Sequence, residues 1–294
     1  MVRDVDEVRV ALAERRYLAD DGLATAVFLA ISLARPLLLE GEPGVGKTEV
    51  AKVLADWLGA ELLRVQCYEG IDAAQAVYEW DYARQLLHVR TMEARHAPVG
   101  EDELYSERFL VARPLLRAVA PASDRPRVLL IDEIDRADDE FEALLLEILS
   151  DYTVTVPELG TFCAETPPVV ILTSNRTRDV HDALKRRCLY HWIEHPDLER
   201  ELAILRVRAP EVSDALARRV ALAVEVIRGL ELVKPPGVAE TIDWAHALAA
   251  LGRTGLDPAT IDATLGTVVK YREDEERVRA HGLERLATAG SVDG

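Results

Sequence analysis

The sequence predicts an α/β fold, a doubly wound parallel sheet followed by an all-helical domain. Three observations predict it. Apolar strands alternate with helical segments from Leu37 to Ile193, one of these strands feeds a glycine-rich turn that opens a helix, and beyond His195-Pro196 every segment has helical spacing.

Taken in order, Asp20 to Ala34 carries apolar side chains broadly enough for a largely buried helix, and Arg35-Pro36 closes it. Leu37-Leu38-Leu39 is a continuous apolar run, the mark of a parallel strand covered on both faces. The turn Gly41 to Gly46 follows, then a helix from Lys47 to Leu58 stopped by Gly59. A strand at Glu61 to Gln66 leads into a long intermediate region, and a strand at Val128 to Ile131 delivers acids at its C-terminal end. A helix at Asp138 to Leu149, a β-rich Thr153 to Val156, a strand at Val169 to Thr173, a helix at Val180 to Arg186 and a strand at Leu189 to Ile193 complete the alternation. Ligands of such sheets bind at the C-terminal strand ends.

The second part reads as helices at Asp197 to Val207, Val212 to Leu230, Glu240 to Leu251 and Pro258 to Arg279, the last opened by an Asp257 cap and a proline in the first turn. The expected domains are therefore an α/β domain over 1–196 with an insertion around 69–115, a helical domain over 197–280, and a flexible tail over 281–294.

Composition narrows the function classes. The 294 residues carry 35 Lys+Arg against 52 Asp+Glu, a formal charge of −17, which argues against a partner that is nucleic acid. The most apolar stretch, Gly22 to Ala34, is shorter than the roughly 20 residues that span a bilayer. With no export signal in MVRDVDEVRV, the expected location is cytoplasmic and the expected membrane span is none. Cys67, Cys163 and Cys188 form no CxxC pair and read as reduced, buried thiols, and the seven histidines share no metal-ligand spacing.

Chemistry concentrates in four motifs. Gly41-Glu42-Pro43-Gly44-Val45-Gly46-Lys47-Thr48 fits G-x-x-x-x-G-K-[ST], the P-loop. Its backbone N–H groups and the helix N-terminus favour phosphate, Lys47 reaches the β- and γ-phosphates, and the Thr48 hydroxyl ligates Mg²⁺. Val128-Leu129-Leu130-Ile131-Asp132-Glu133 brings two carboxylates to the same sheet edge. Asp132 is expected to hold Mg²⁺ through its water shell, and Glu133 to polarise the attacking water. The expected cofactors are thus ATP and Mg²⁺. Thr173-Ser174-Asn175 places a neutral amide, Asn175, where it can report the γ-phosphate or the lytic water; an Asn in such a turn is common for local reasons as well. Arg186-Arg187 ends a helix, where cations suit the dipole. The sharper expectation is an arginine finger acting on a neighbouring subunit, with Arg187 preferred and Arg186 second.

GEPGVGKT, LLIDEIDRAD, TSN and ALKRRC, in that order before an all-helical domain, resemble the AAA+ ATPases and within them the MoxR branch. CYEGIDAAQAVYEWDY, the run from Ser150 to Trp192, and PPGVAETIDW look like the MoxR-type accessory ATPases of carbon monoxide dehydrogenase and related molybdenum hydroxylases. The resemblance covers roughly residues 15 to 275. It implies a homo-oligomeric ring, usually a hexamer, that acts as a chaperone in maturing a metalloenzyme client, often with a von Willebrand factor A domain partner. It also implies an insertion beside the second helix. One departure is evident: Pro236-Gly237-Val238-Ala239-Glu240 lacks the sensor-2 arginine usual at the start of a lid helix, and Lys234 is the substitute at hand.

The leading expectation is ATP-driven remodelling of a protein client. A nucleotide-dependent DNA machine on the same fold is the alternative, since fold alone does not choose between them. A scaffold that binds nucleotide without hydrolysing it is disfavoured by Glu133. Tyr78, Trp80 and Tyr82 are read as either client-facing or core, and Glu101-Asp102-Glu103 as a solvated loop.

Overall fold

The structure, a computed structural model, describes residues 2–120 and 125–289, with the side chains of 73 and 74 excepted. It divides into two compact units. The first comprises the chain up to Arg15, Ala19–Glu40 and Thr48–Trp192; the second comprises Arg16–Leu18, Gly41–Lys47 and the chain from Ile193 onward.

The elements of the α/β region are α1 (Val5–Glu14), α2 (Asp21–Leu33), β1 (Leu37–Gly41), α3 (Lys47–Trp57), β2 (Glu61–Gln66), α4 (Ala73–Val77), β3 (Tyr78–Trp80), α5 (Tyr82–Ala94), α6 (Glu101–Leu104), β4 (Leu110–Ala112), α7 (Pro114–Val119), β5 (Arg127–Asp132), α8 (Asp139–Asp151), β6 (Thr153–Val156), β7 (Gly160–Cys163), β8 (Val169–Ser174), α9 (Asp182–Arg187) and β9 (Leu189–Ile193). The main sheet has the order β2-β5-β8-β1-β9. Its β2–β5, β5–β8 and β8–β1 pairs are parallel, with Gln66 opposite Asp132 and Leu39 opposite Thr173. β1, β5 and β8 are buried along nearly their whole length, as their unbroken apolar runs require. The α/β fold with a parallel five-stranded sheet is therefore as expected.

Helix entry follows local chemistry. Asp20 accepts from the Leu23 N–H at 2.6 Å to start α2, and Asp138 accepts from the Phe141 N–H at 2.9 Å to start α8. The charged segment at the N-terminus, for which no element was expected, forms α1 with Asp4 as its cap, and Val8, Ala11 and Leu12 are buried.

The intermediate region is a small subdomain in which β3 and β4 pair antiparallel, Tyr78 opposite Ala112 and Trp80 opposite Leu110. Trp80 is only 7% exposed and belongs to the core, with Tyr78 packed on it edge-to-face at 6.1 Å, whereas Tyr82 is 67% exposed. The aromatic run therefore splits into core and surface. Glu101 to Leu104 forms the short α6 rather than a loop.

The second unit carries α10 (Leu198–Arg208), α11 (Asp214–Arg228), α12 (Val238–Ala250), α13 (Pro258–Val268), α14 (Arg272–His281) and α15 (Leu283–Ala287). The expected single helix from Pro258 to Arg279 is two, because the chain turns extended at Val269 and buries both Val268 and Val269. The buried Asp274 of α14 then accepts from the Val233 and Lys234 N–H groups at 2.7 and 3.0 Å. The expected tail also needs correction: Leu283–Ala287 is helical with Leu286 buried, and residues 290–294 lie outside the described residues. Among the described residues no helix is long and apolar enough to cross a membrane.

Candidate active site

β5 ends in Asp132, which is 2% exposed. Its Oδ1 accepts from Thr48 Oγ1 at 2.9 Å and from Thr173 Oγ1 at 2.6 Å; its Oδ2 accepts from Arg64 Nε at 3.1 Å and Nη2 at 2.5 Å. Parallel pairing explains the convergence: α3 begins after β1, β8 lies next to β5, and β2 lies on its other side. All four acceptor sites of a buried carboxylate are thereby filled, as burial of a charge demands.

Glu133 follows in the left-handed conformation, φ 57°. Its N–H donates to Thr173 Oγ1 at 2.9 Å, and its carboxylate meets Arg136 at 3.2 Å. One hydroxyl, Thr173, thus ties Asp132 and Glu133 together. Two residues on, buried Asp135 accepts from the Thr177 N–H and hydroxyl at 2.9 and 2.6 Å, fixing the segment after Asn175. The Asn175 amide makes no side-chain hydrogen bond to another described residue.

The P-loop packs within the helical unit. Lys47 Nζ donates to the carbonyls of Gly41 and Glu42 at 2.7 and 2.8 Å, and the Ala239 N–H donates to the Gly44 carbonyl at 3.2 Å. Gly44 has φ 82°, and a Cβ at Gly237 would stand 2.7 Å from the Pro43 carbonyl and 2.8 Å from Gly44 Cα. The first residues of α12 therefore lie backbone-to-backbone on the turn. Pro236–Glu240, where a sensor-2 arginine was sought, supplies no cation of its own: Glu240 accepts from the Gly237 N–H at 3.0 Å, and the Lys234 side chain is exposed. Nearby, Arg228 pairs with buried Glu201 through two 2.8 Å hydrogen bonds and donates to the Pro236 carbonyl at 2.7 Å, fixing the approach to Gly237.

Arg186 and Arg187 are exposed at the end of α9. Arg35 caps that end, donating to the Arg186 carbonyl at 3.1 Å and the Arg187 carbonyl at 3.0 Å, while the Arg187 guanidinium donates to Ser150 Oγ. Of the thiols, Cys67 and Cys188 are buried, but Cys163 is exposed on a short hairpin, contrary to expectation. Burial pushes both buried thiols up to about 12, at Cys67 with help from the Asp132 charge, so neither is a nucleophile at neutral pH.

Sequence reasoning missed four residues that organise these groups: Arg64, Thr173, Arg35 and Arg136. Thr173 at the end of an apolar strand and Arg64 alternating with Leu63 and Val65 were visible, but only strand order brings them to Asp132.

A glycine-rich turn cradling its own lysine, followed by a threonine bonded to an acid at the end of a buried parallel strand, defines a P-loop ATPase. The chain belongs to the AAA domain family, dynein-related subfamily, whose sequence profile matches residues 36–188, just over half of its length. It binds ATP and hydrolyses it to ADP and phosphate. No curated protein matches the sequence. Among solved structures, a lysine-to-arginine mutant of Thermotoga maritima RuvB is 17% identical, with 90% of this chain and 71% of that one covered and a TM-score of 0.51. Another structure of Thermotoga maritima RuvB, described as a Holliday junction branch migration motor, is 17% identical over 90% and 71% of the two chains, with a TM-score of 0.46. A candidate ATPase from Cytophaga hutchinsonii is 16% identical over 97% and 96%, with a TM-score of 0.47.

Proposed function

We propose that the protein is a ring-forming AAA+ chaperone of the MoxR branch that uses Mg·ATP hydrolysis to remodel a protein client in the cytoplasm. The observation that carries its ATP-hydrolysing part is the convergence of Thr48 and Asp132 beside Glu133.

In this reading Gly41 to Gly46 hold the phosphates and Lys47 exchanges its two backbone carbonyls for phosphate oxygens. The donor set fits a hard divalent cation, since a hydroxyl and a carboxylate converge at Thr48 and Asp132. When bound, Mg²⁺ supplies Lewis-acid polarisation of the phosphates. Glu133 releases Arg136 and takes the proton of the attacking water. Asn175 contacts the γ-phosphate or that water, and Arg187, with Arg186 as the second candidate, stabilises the transferred charge on an adjacent subunit.

The MoxR reading rests on the resemblance of CYEGIDAAQAVYEWDY and the run from Ser150 to Trp192 to accessory ATPases of molybdenum hydroxylases. A hexamer, a carbon monoxide dehydrogenase-type client and a von Willebrand factor A domain partner follow from that resemblance. The charge of −17 supports a protein client over the DNA machine that likeness to RuvB brings to mind. Exposed Tyr82, Leu86 and Leu87 on α5 offer an apolar surface for that client.

Co-expression with a molybdenum hydroxylase tests the proposal. The metal and cofactor content of the purified hydroxylase should fall when Glu133→Gln replaces the wild-type ATPase. Equal content with either form would remove the maturation role.

A further inference from the structure

Asp132 keeps its charge in a buried place only because other groups answer it, and one of them is a full cation. Arg64 sits on β2, the edge strand of the main sheet, two residues before Gln66, which pairs with Asp132. Leu63 and Val65 point into the core, so Arg64 and Gln66 lie on the opposite, exposed face. From there the Arg64 guanidinium closes on Asp132 Oδ2 with both Nε and Nη2, at 3.1 and 2.5 Å, while Nη2 also donates to Gln66 Oε1. The Arg64 side chain is half exposed although its partner is 3% exposed. This is a bidentate, charge-assisted contact at the mouth of the site, made by an arm with water behind it.

We propose that Arg64 is a resident counter-cation for Asp132, which neutralises that carboxylate in the nucleotide-free protein and must leave Oδ2 when a hydrated Mg²⁺ arrives with the nucleotide. The inference rests on Asp132 being the metal-side carboxylate. Oδ1 is already taken by Thr48 and Thr173, so Oδ2 is the oxygen open to exchange. A guanidinium and the hydration shell of a metal ion cannot use the same lone pairs at once. The exchange is feasible because Arg64 leaves into solvent, where Gln66 can still hold it, and no buried group loses its partner once the metal has taken over.

Two consequences follow. Arg64 protects Asp132 from the penalty of an unpaired buried charge when the site is empty. It also competes with Mg²⁺, so that the metal concentration at which nucleotide loads is set by a residue outside the P-loop and outside the sequence motifs. Because Arg64 is half exposed and regains water when it leaves, the pair is worth about one charge-assisted hydrogen bond, a competition on the order of tenfold.

The test is a Mg²⁺ titration of the binding of a fluorescent ATP analogue, with melting of the nucleotide-free protein in parallel, for wild type, Arg64→Gln, Arg64→Lys and Asp132→Asn. Arg64→Gln should lower the half-saturating Mg²⁺ concentration by about tenfold. It should also lower the melting temperature without nucleotide, a deficit that closes in saturating Mg·ATP. Arg64→Lys keeps the charge but loses the fork, so it should fold normally and give an intermediate half-saturation. A half-saturation unchanged or raised in both Arg64 variants overturns the proposal. Asp132→Asn separates the two levels: if it abolishes the Mg²⁺ dependence while the Arg64 variants leave it unmoved, Arg64 alone is refuted. If Asp132→Asn also leaves it unmoved, the reading of Asp132 as the metal-side carboxylate fails with it.

Discussion

Thr48 and Asp132, 84 residues apart, meet through a 2.9 Å hydrogen bond between the Thr48 hydroxyl and Asp132 Oδ1. The first residue ends the P-loop motif and the second ends a buried strand, so two segments recognised separately in the sequence prove to be one constellation. Thr173 completes it from the neighbouring strand, donating to Asp132 and accepting from the Glu133 N–H. Rigid strand ends hold the carboxylates, which is the preorganisation that phosphoryl transfer depends on.

Arg187 is expected to act across a subunit boundary. Replacing it by Ala should leave ATP binding intact and lower turnover on the order of 10³-fold. The variant should also suppress the rate when mixed with wild-type protein. Arg35→Ala, which removes the cap from the Arg186 and Arg187 carbonyls, should give a smaller loss of the same kind, with KM unchanged. Steady-state rates of mixed assemblies check both; a wild-type component that keeps its full rate beside Arg187→Ala places the residue outside the neighbour's site.

Gly237→Ala probes the contact between the start of α12 and the P-loop. The added methyl meets backbone at 2.7 and 2.8 Å, so neither side yields by a rotamer change. A cost of about 1–3 kcal/mol is expected from the strain. Denaturant unfolding should show that loss, and calorimetric titration should show weakened ATP binding, because relief comes only by moving Gly44 or the helix. Native stability and affinity would mean that the contact is slack.

The insertion should respond differently along its aromatic run. Trp80→Ala removes a core ring and should cost about 3–5 kcal/mol. Tyr82→Ala and Leu86→Ala alter exposed side chains, so melting temperature and basal hydrolysis should hold while maturation of a co-expressed molybdenum hydroxylase declines. Undiminished maturation would move the client surface elsewhere, with the β6–β7 hairpin the next place to look.

Stability should fall on acidification. Burial holds the pKa of His191 below its ordinary value, and at His195 burial is joined by the Arg228 charge. One ring nitrogen of each is buried without a hydrogen-bond partner among the described residues. The unfolded chain therefore binds protons that the folded chain refuses, and stability is lost as pH drops below about 6.5 until the folded values are reached. Melting curves between pH 7.5 and 5.5 should show the decline, and His191→Gln should flatten part of it. A melting temperature that rises over that interval would contradict the assignment.

The fold and the phosphate-binding motifs were legible because they are local: a glycine-lysine-threonine spacing and unbroken apolar runs carry their own meaning. The sheet itself came within a residue or two at each strand. What could not be read depends on pairing across the chain. Arg64 reaches Asp132 only because β2 borders β5, Trp80 is core only because β4 pairs with β3, and Arg35 caps α9 from 151 residues away. The single long helix expected after Pro258 failed for a related reason. Helical spacing alone cannot show that two adjacent valines are both buried by an extended break.

Glu133→Gln tests the central claim most directly. The substitution keeps shape and leaves Lys47, Thr48 and Asp132 in place but removes the base, so single-turnover hydrolysis should slow by at least ~100-fold while ATP binds with wild-type affinity. Hydrolysis at the wild-type rate in that variant would contradict the account, since no water-activating role for Glu133 would remain.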